Sequence, residues 1–92
     1  FSEVKTLNLE QNSTTERGAK ALVTSSALTK LTSLNLVDNR IGDQGALAIA
    51  NSDILSNLIY LHLGGNRVKS EATKTALRES KNLSQLKTLK VF

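Results

Sequence analysis

The sequence predicts an α/β fold made of a repeated unit, in which short parallel strands alternate with helices. Six-residue segments starting at Val4, Leu31, Leu58 and Leu86 align without gaps, and their starts are offset by 27, 27 and 28 residues. Between them, Gly18-Ala19-Lys20-Ala21-Leu22 and Gly45-Ala46-Leu47-Ala48-Ile49 place small and apolar residues at helical spacing. A period of this length, kept in several columns at once, marks a repeat architecture.

Each element has a physical reason. Within Leu31-Thr32-Ser33-Leu34-Asn35-Leu36 the last apolar residues alternate with polar ones, the period-two signature of a strand with one buried face. Val4-Lys5-Thr6-Leu7-Asn8-Leu9, Leu58-Ile59-Tyr60-Leu61-His62-Leu63 and Leu86-Lys87-Thr88-Leu89-Lys90-Val91 keep the same beat. Asn12, Asn39 and Asn66 follow the first three strands in one column, and each is expected in a buried ladder that satisfies backbone groups of non-helical chain. Asp43 and Ser70 are expected helix caps, while Gly18, Gly45 and Ala72 are expected to let the helices pack closely onto the sheet. Leu28, Leu55 and Leu83, with Phe1 in the same column, close the far end of the core. Two positions depart from the beat. Thr14 stands where Ile41 and Val68 stand, and one extra residue precedes Leu77 or Leu83, which predicts a shifted or longer third helix.

Composition removes several classes. Ninety-two residues suffice for one small domain, and the apolar residues are mostly Leu and Ala, with one Tyr, two Phe and no Trp or Pro. Cysteine is absent, so disulfides and thiolate metal clusters are excluded. No apolar run approaches the roughly 18 residues of a membrane span. No phosphate loop, zinc spacing or nucleophile elbow occurs, and the one histidine with scattered aspartates offers no triad. Neither a metal nor a cofactor is expected. The net charge of +4 is skewed: residues 1–66 carry five basic and six acidic side chains, residues 67–92 seven basic and two acidic. A solvated helix face is the simplest reading of that skew, with an acidic partner or nucleic acid as the functional alternative. Asn12-Ser13-Thr14 and Asn82-Leu83-Ser84 match a glycosylation triplet, but both read as chance, the first because Asn12 is assigned to the buried ladder.

These columns together resemble the ribonuclease-inhibitor-like subfamily of leucine-rich repeats, over essentially the whole chain and best over residues 31–57. The resemblance implies a solenoid with parallel strands on the concave face and helices on the convex face. It divides the chain, taken as one domain over 1–92, into the end of a preceding repeat (1–3), three repeats (4–30, 31–57 and 58–85) and the strand of a fourth (86–92). It implies an intracellular setting, and bacterial effectors acting in a host cell carry the same repeat. Relatives also include ribonuclease inhibitors, activators of small GTPases, immune receptors and ubiquitin-ligase adaptors. Fold therefore leaves the partner open.

Strand phase assigns the exposed positions. Thr6, Ser33, Tyr60 and Thr88 form one ladder, Asn8, Asn35, His62 and Lys90 a second, and Glu10, Val37, Gly64 and Phe92 a third. Tyr60 and His62 point the same way beside Ser33 and Asn35. A tyrosine on an open sheet face supplies large contact area at low entropy cost, as binding hot spots do, although a lone Tyr can equally cover a neighbour. With Asn35 and Lys90 as flanks, His62 lacks a second metal ligand and reads as solvated or partner-facing. Arg40 and Arg67 share the column after the ladder Asn and are expected on the rim of adjacent turns, where they could grip an acidic partner.

The expected role is that of a protein-interaction module without catalysis, its partner-binding residues being Tyr60, His62, Asn35, Ser33, Asn8, Lys90, Arg40 and Arg67. Regulation of an enzyme, of the GTPase-activating or ribonuclease-inhibitor type, is the alternative. Nucleic-acid binding through the basic last repeat is less favoured, since aromatic support beyond Tyr60 and Phe92 is thin. Four strands about 4.8 Å apart give an exposed patch on the order of 200–300 Å², against about 800 Å² per partner in a standard interface. The sequence thus reads as a slice of a longer repeat protein, or as a chain whose copies meet through uncapped ends.

Overall fold

A computed structural model describes residues 4–92. The Phe1 column position and the 1–3 boundary lie outside the described residues. The chain runs β1 (Thr6–Asn8), α1 (Glu16–Leu22), a 3-10 turn (Ser26–Leu28), β2 (Ser33–Asn35), α2 (Gly42–Ala50), β3 (Tyr60–His62), α3 (Glu71–Arg78) and β4 (Thr88–Lys90). The strands form one four-stranded parallel sheet in the order β1-β2-β3-β4. Parallel neighbours need a crossover, and each helix supplies one. The result is an α/β repeat.

Strand register follows the sequence columns. Thr6 pairs with Ser33, Ser33 with Tyr60 and Tyr60 with Thr88; Asn8, Asn35, His62 and Lys90 pair likewise. One donor column recurs at every joint: Leu9 N to Asn35 O (2.8 Å), Leu36 N to His62 O (2.9 Å) and Leu63 N to Lys90 O (2.6 Å). Beneath lies the core. Leu31, Leu36, Leu55, Leu58, Leu61, Leu63 and Ile49 are fully buried, whereas their column-mates in the outer coils (Val4, Leu7, Leu9, Leu86, Leu89 and Val91) are partly covered. Outer coils have a described neighbour on one side only, so equal residues bury less area there.

The asparagine ladder is real at two of its three positions. Asn39 is buried; its Oδ1 accepts from Asn12 N (3.0 Å) and Thr14 N (2.8 Å), and its Nδ2 donates to Leu9 O and Leu36 O. Asn66, fully buried, donates to Leu36 O (2.6 Å) and Gly64 O (3.2 Å) and accepts from Ile41 N (3.4 Å). Each asparagine bonds backward, to its own turn and to the coil before it. Asn12 has no described coil behind it and is exposed, its Nδ2 donating to Glu10 O (3.1 Å). Burial is therefore no ground for setting aside the Asn12-Ser13-Thr14 triplet.

The helix expectations need three corrections. Asp43 lies inside the first turn of α2, whose N-cap is Ile41, and does not cap its own helix. Its carboxylate reaches the next coil, accepting from Ser70 N (3.0 Å) and Lys69 N (3.2 Å) at the entrance to α3. That Ser70 contact, chiefly, holds the Asp43 carboxyl below its ordinary value. Ser70 does occupy the N-cap position of α3, with extended backbone, but its own side chain makes no cap bond. Second, Gly45 serves helix-to-helix rather than helix-to-sheet packing. A Cβ there would lie 2.5 Å from the Ile41 Cγ2 and 3.3 Å from both Ala19 Cβ and the Glu16 backbone, so α1 and α2 meet across it. Third, Ala72 is exposed, and Thr73 fills the buried column of Ala19 and Ala46. The extra residue shifts α3 without lengthening it: α3 spans 8 residues against 9 in α2, and Leu77 takes the buried place that Ile49 holds one coil earlier.

Candidate functional site

On the open side of the sheet the second ladder carries a local device in three coils. Asn8 Oδ1 accepts from Glu10 N (3.0 Å), Asn35 Oδ1 from Val37 N (3.0 Å) and His62 Nδ1 from Gly64 N (3.1 Å). Each side chain closes a small ring with the residue two ahead, turning the chain out of the strand. His62 thus stands in an asparagine's place and does an asparagine's backbone work. With Nδ1 accepting, the neutral ring carries its proton on Nε2.

An aromatic cluster surrounds this histidine. Tyr60 and His62 meet edge to face with centroids 6.3 Å apart, and His62 and Phe92 at 5.7 Å. The Lys90 ammonium lies 5.9 Å from the centre of the Tyr60 ring, within cation–π range. The third ladder runs beyond the strand ends, where Asp38 N bonds Gly64 O and Gly65 N bonds Phe92 O. Gly64 makes room for the cluster, since a Cβ there would sit 2.7 Å from both His62 Cε1 and Phe92 Cζ. Gly65 beside it has φ +70°, in the column where Gln11 and Asp38 have φ 58° and 57°.

The sequence-expected residues divide into two groups. Tyr60, His62 and Lys90 come together, while Ser33 and Asn35 on β2 and Asn8 on β1 form a plainer polar half. Asn35 Nδ2 donates to Glu10 Oε1 (3.2 Å) there. Arg40 and Arg67 are both exposed but do not present alike. Arg67 has φ 62°; Arg40 has not, and its N–H bonds Thr14 O (2.7 Å), tying it to the first coil. Sequence reasoning left Phe92 out of the site, although it is 72% exposed and packs on His62. Its place in the third ladder, next to a glycine, was the available signal.

Elsewhere, two depressions lie at the ends of the stack. One is lined by Val4, Leu7, Leu22 and Leu28, the other by Leu77, Leu83, Leu86 and Leu89 with Arg78 and Lys87 nearby. Both present columns that the next coil covers inside the stack. Among the described residues, no group of three or more His, Asp or Glu side chains is placed to hold a metal ion.

A family model described as Leucine Rich repeat matches residues 27–50, which hold β2, the Asn39 turn and α2. No curated protein matches the chain, and neither does any solved structure. The match supports a leucine-rich repeat family, whose domains generally mediate protein–protein interaction and are typically non-catalytic.

Proposed function

We propose that this chain, carrying a leucine-rich repeat match in its second coil, is a protein-interaction module of the ribonuclease-inhibitor-like kind. In this reading its coils belong to a solenoid, and its open sheet face is one share of a larger recognition surface without catalysis of its own. The observation that carries the reading is the Tyr60–His62–Phe92 cluster with Lys90 at its side. Three rings gather there beside a cation; tyrosine is a type that recurs among binding hot spots, and phenylalanine is enriched at interfaces. Nothing in the hydrophobic core requires them there. The core is completed from the other face by the leucine columns.

The histidine's backbone role shapes the test. Alanine at His62 would also strip Gly64 N–H of its acceptor, so asparagine, native at positions 8 and 35, is the cleaner replacement. The Tyr60→Ala/His62→Asn double variant should keep its circular dichroism and a cooperative unfolding transition, lowered by the lost ring contacts, yet lose capture of a protein held by the wild-type chain. Capture unchanged by a folded double variant would rule the site out.

A further inference from the structure

The two halves of the sheet face differ in charge as well as in shape. Among the described residues, the three ladders hold one carboxylate, Glu10, on the β1 side bonded to Asn35, while the Asp38 carboxylate sits at the rim against Gly65. The β3–β4 half carries Lys90 on the face and Lys87 at the entry to β4, both exposed, and neither has an acidic partner among the described residues. β4 lies in residues 67–92, where basic residues outnumber acidic ones seven to two, although Lys87 and Lys90 are the two of them on this half of the face. Charge complementarity therefore asks for an acidic occupant.

Ring geometry narrows the class. Tyr60 and His62 are inclined by 76° and His62 and Phe92 by 63°, so the rings pack edge to face among themselves. Lys90 lies over the Tyr60 ring. Nucleic acid wants flat ring faces for bases and a continuous basic track for phosphates. Here Lys74 and Arg78 sit on α3 in the other layer, with Lys74 paired to Glu71 at 3.4 Å, and Arg67, Lys69 and Lys81 lie in turns outside the strands. A protein segment fits better. Side chains two residues apart in an extended peptide stand about 6–7 Å apart on one face, close to the 6.3 Å between the Tyr60 and His62 rings.

We infer that the β3–β4 half of the face takes an extended acidic segment of a partner protein. One carboxylate meets Lys90 and the Nε2–H of His62, and an apolar side chain two residues away rests on the Tyr60 ring, with Phe92 flanking the carboxylate on the other side of His62. This rests on the reading of the sheet face as the interaction surface. It adds the sign of the partner's charge and the spacing of its anchors.

Nuclear magnetic resonance titration with short peptides tests it. The probe is an eight-residue peptide with the sequence Glu-Ser-Leu-Ser twice over; the controls are the same peptide with Lys for Glu, one with Ala for Leu, and a random single-stranded oligonucleotide. The expected result is saturable shifts at Tyr60, His62, Lys90 and Phe92 with the acidic peptide. Binding should weaken about fivefold in Lys90→Glu and about tenfold in Tyr60→Ala, and stay unchanged in Lys74→Glu on α3. Equal binding of the Lys peptide would overturn the charge assignment while leaving the face as an interaction surface. Tighter binding of the oligonucleotide at the same resonances would replace the peptide by nucleic acid. Shifts confined to the helices, or none with any peptide, would overturn this inference and remove support from the parent reading together.

Discussion

His62 offers a substitution pair whose outcomes separate structure from recognition. In His62→Ala the buried Gly64 N–H loses its 3.1 Å acceptor, and the Tyr60 and Phe92 rings lose their common neighbour. An unmade bond at a buried backbone donor costs about 1–3 kcal/mol, and each edge-to-face ring contact adds about 0.5–1 kcal/mol. The sum for alanine is about 2–5 kcal/mol. His62→Asn restores the acceptor in the form used by Asn8 and Asn35, so its cost is only the ring contacts, about 1–2 kcal/mol. For a domain of this size 1 kcal/mol moves Tm by about 4–8 °C, which puts the two variants at least about 4 °C apart. Thermal and urea unfolding followed by circular dichroism measures the difference. Amide exchange at Gly64 localises it: fast in the alanine variant, near wild type in the asparagine one. Equal destabilisation by the two, or unchanged Gly64 exchange in the alanine variant, would refute the asparagine-like role of His62.

Asn39→Ala removes acceptor and donor atoms serving Asn12 N, Thr14 N, Leu9 O and Leu36 O and should cost about 3 kcal/mol in urea unfolding. Asn12→Ala, at the exposed end of the same ladder, should stay within about 0.5 kcal/mol. Gly65→Ala places a Cβ against the Asp38 carboxylate at φ +70° and should lower stability by about 1–2 kcal/mol in the same assay. Asp43 has a carboxyl held below its ordinary 3.8, so the stability it contributes is full above that value and is lost as pH falls through the lowered one. Acid titration of unfolding should show this loss in the wild type and a flatter profile below pH 4 or so in Asp43→Asn.

Columns of like residues were the legible part of the fold. Strand phase followed from alternation alone, and the pairing Thr6–Ser33–Tyr60–Thr88 stands as the segment starts require. The illegible part depended on what lies next door. Asn12 and Asn39 are the same residue in the same column, yet among the described residues only Asn39 has a preceding coil to bond. Asp43 read as a cap for the nearest helix start, because its true partners, Lys69 N and Ser70 N, lie 26 and 27 residues away. Gly45 read as a sheet contact because its meeting with Ala19 is a helix–helix distance that no local pattern encodes. In the site, phase placed Tyr60 and His62 on one side. The backbone bond of His62 was visible only once Asn8 and Asn35 were seen making it, and Phe92 entered only through the space that Gly64 leaves.

The sheet face as the interaction surface is tested most directly by covalent footprinting of the chain with and without a captured partner protein. Hydroxyl-radical modification of Tyr60 and Phe92 and acylation of Lys90 should fall on binding, while acylation of Lys20 on α1 and Lys74 on α3 stays constant. Protection of the helix lysines with Tyr60, Phe92 and Lys90 still reactive would place the partner on the opposite layer and contradict the account.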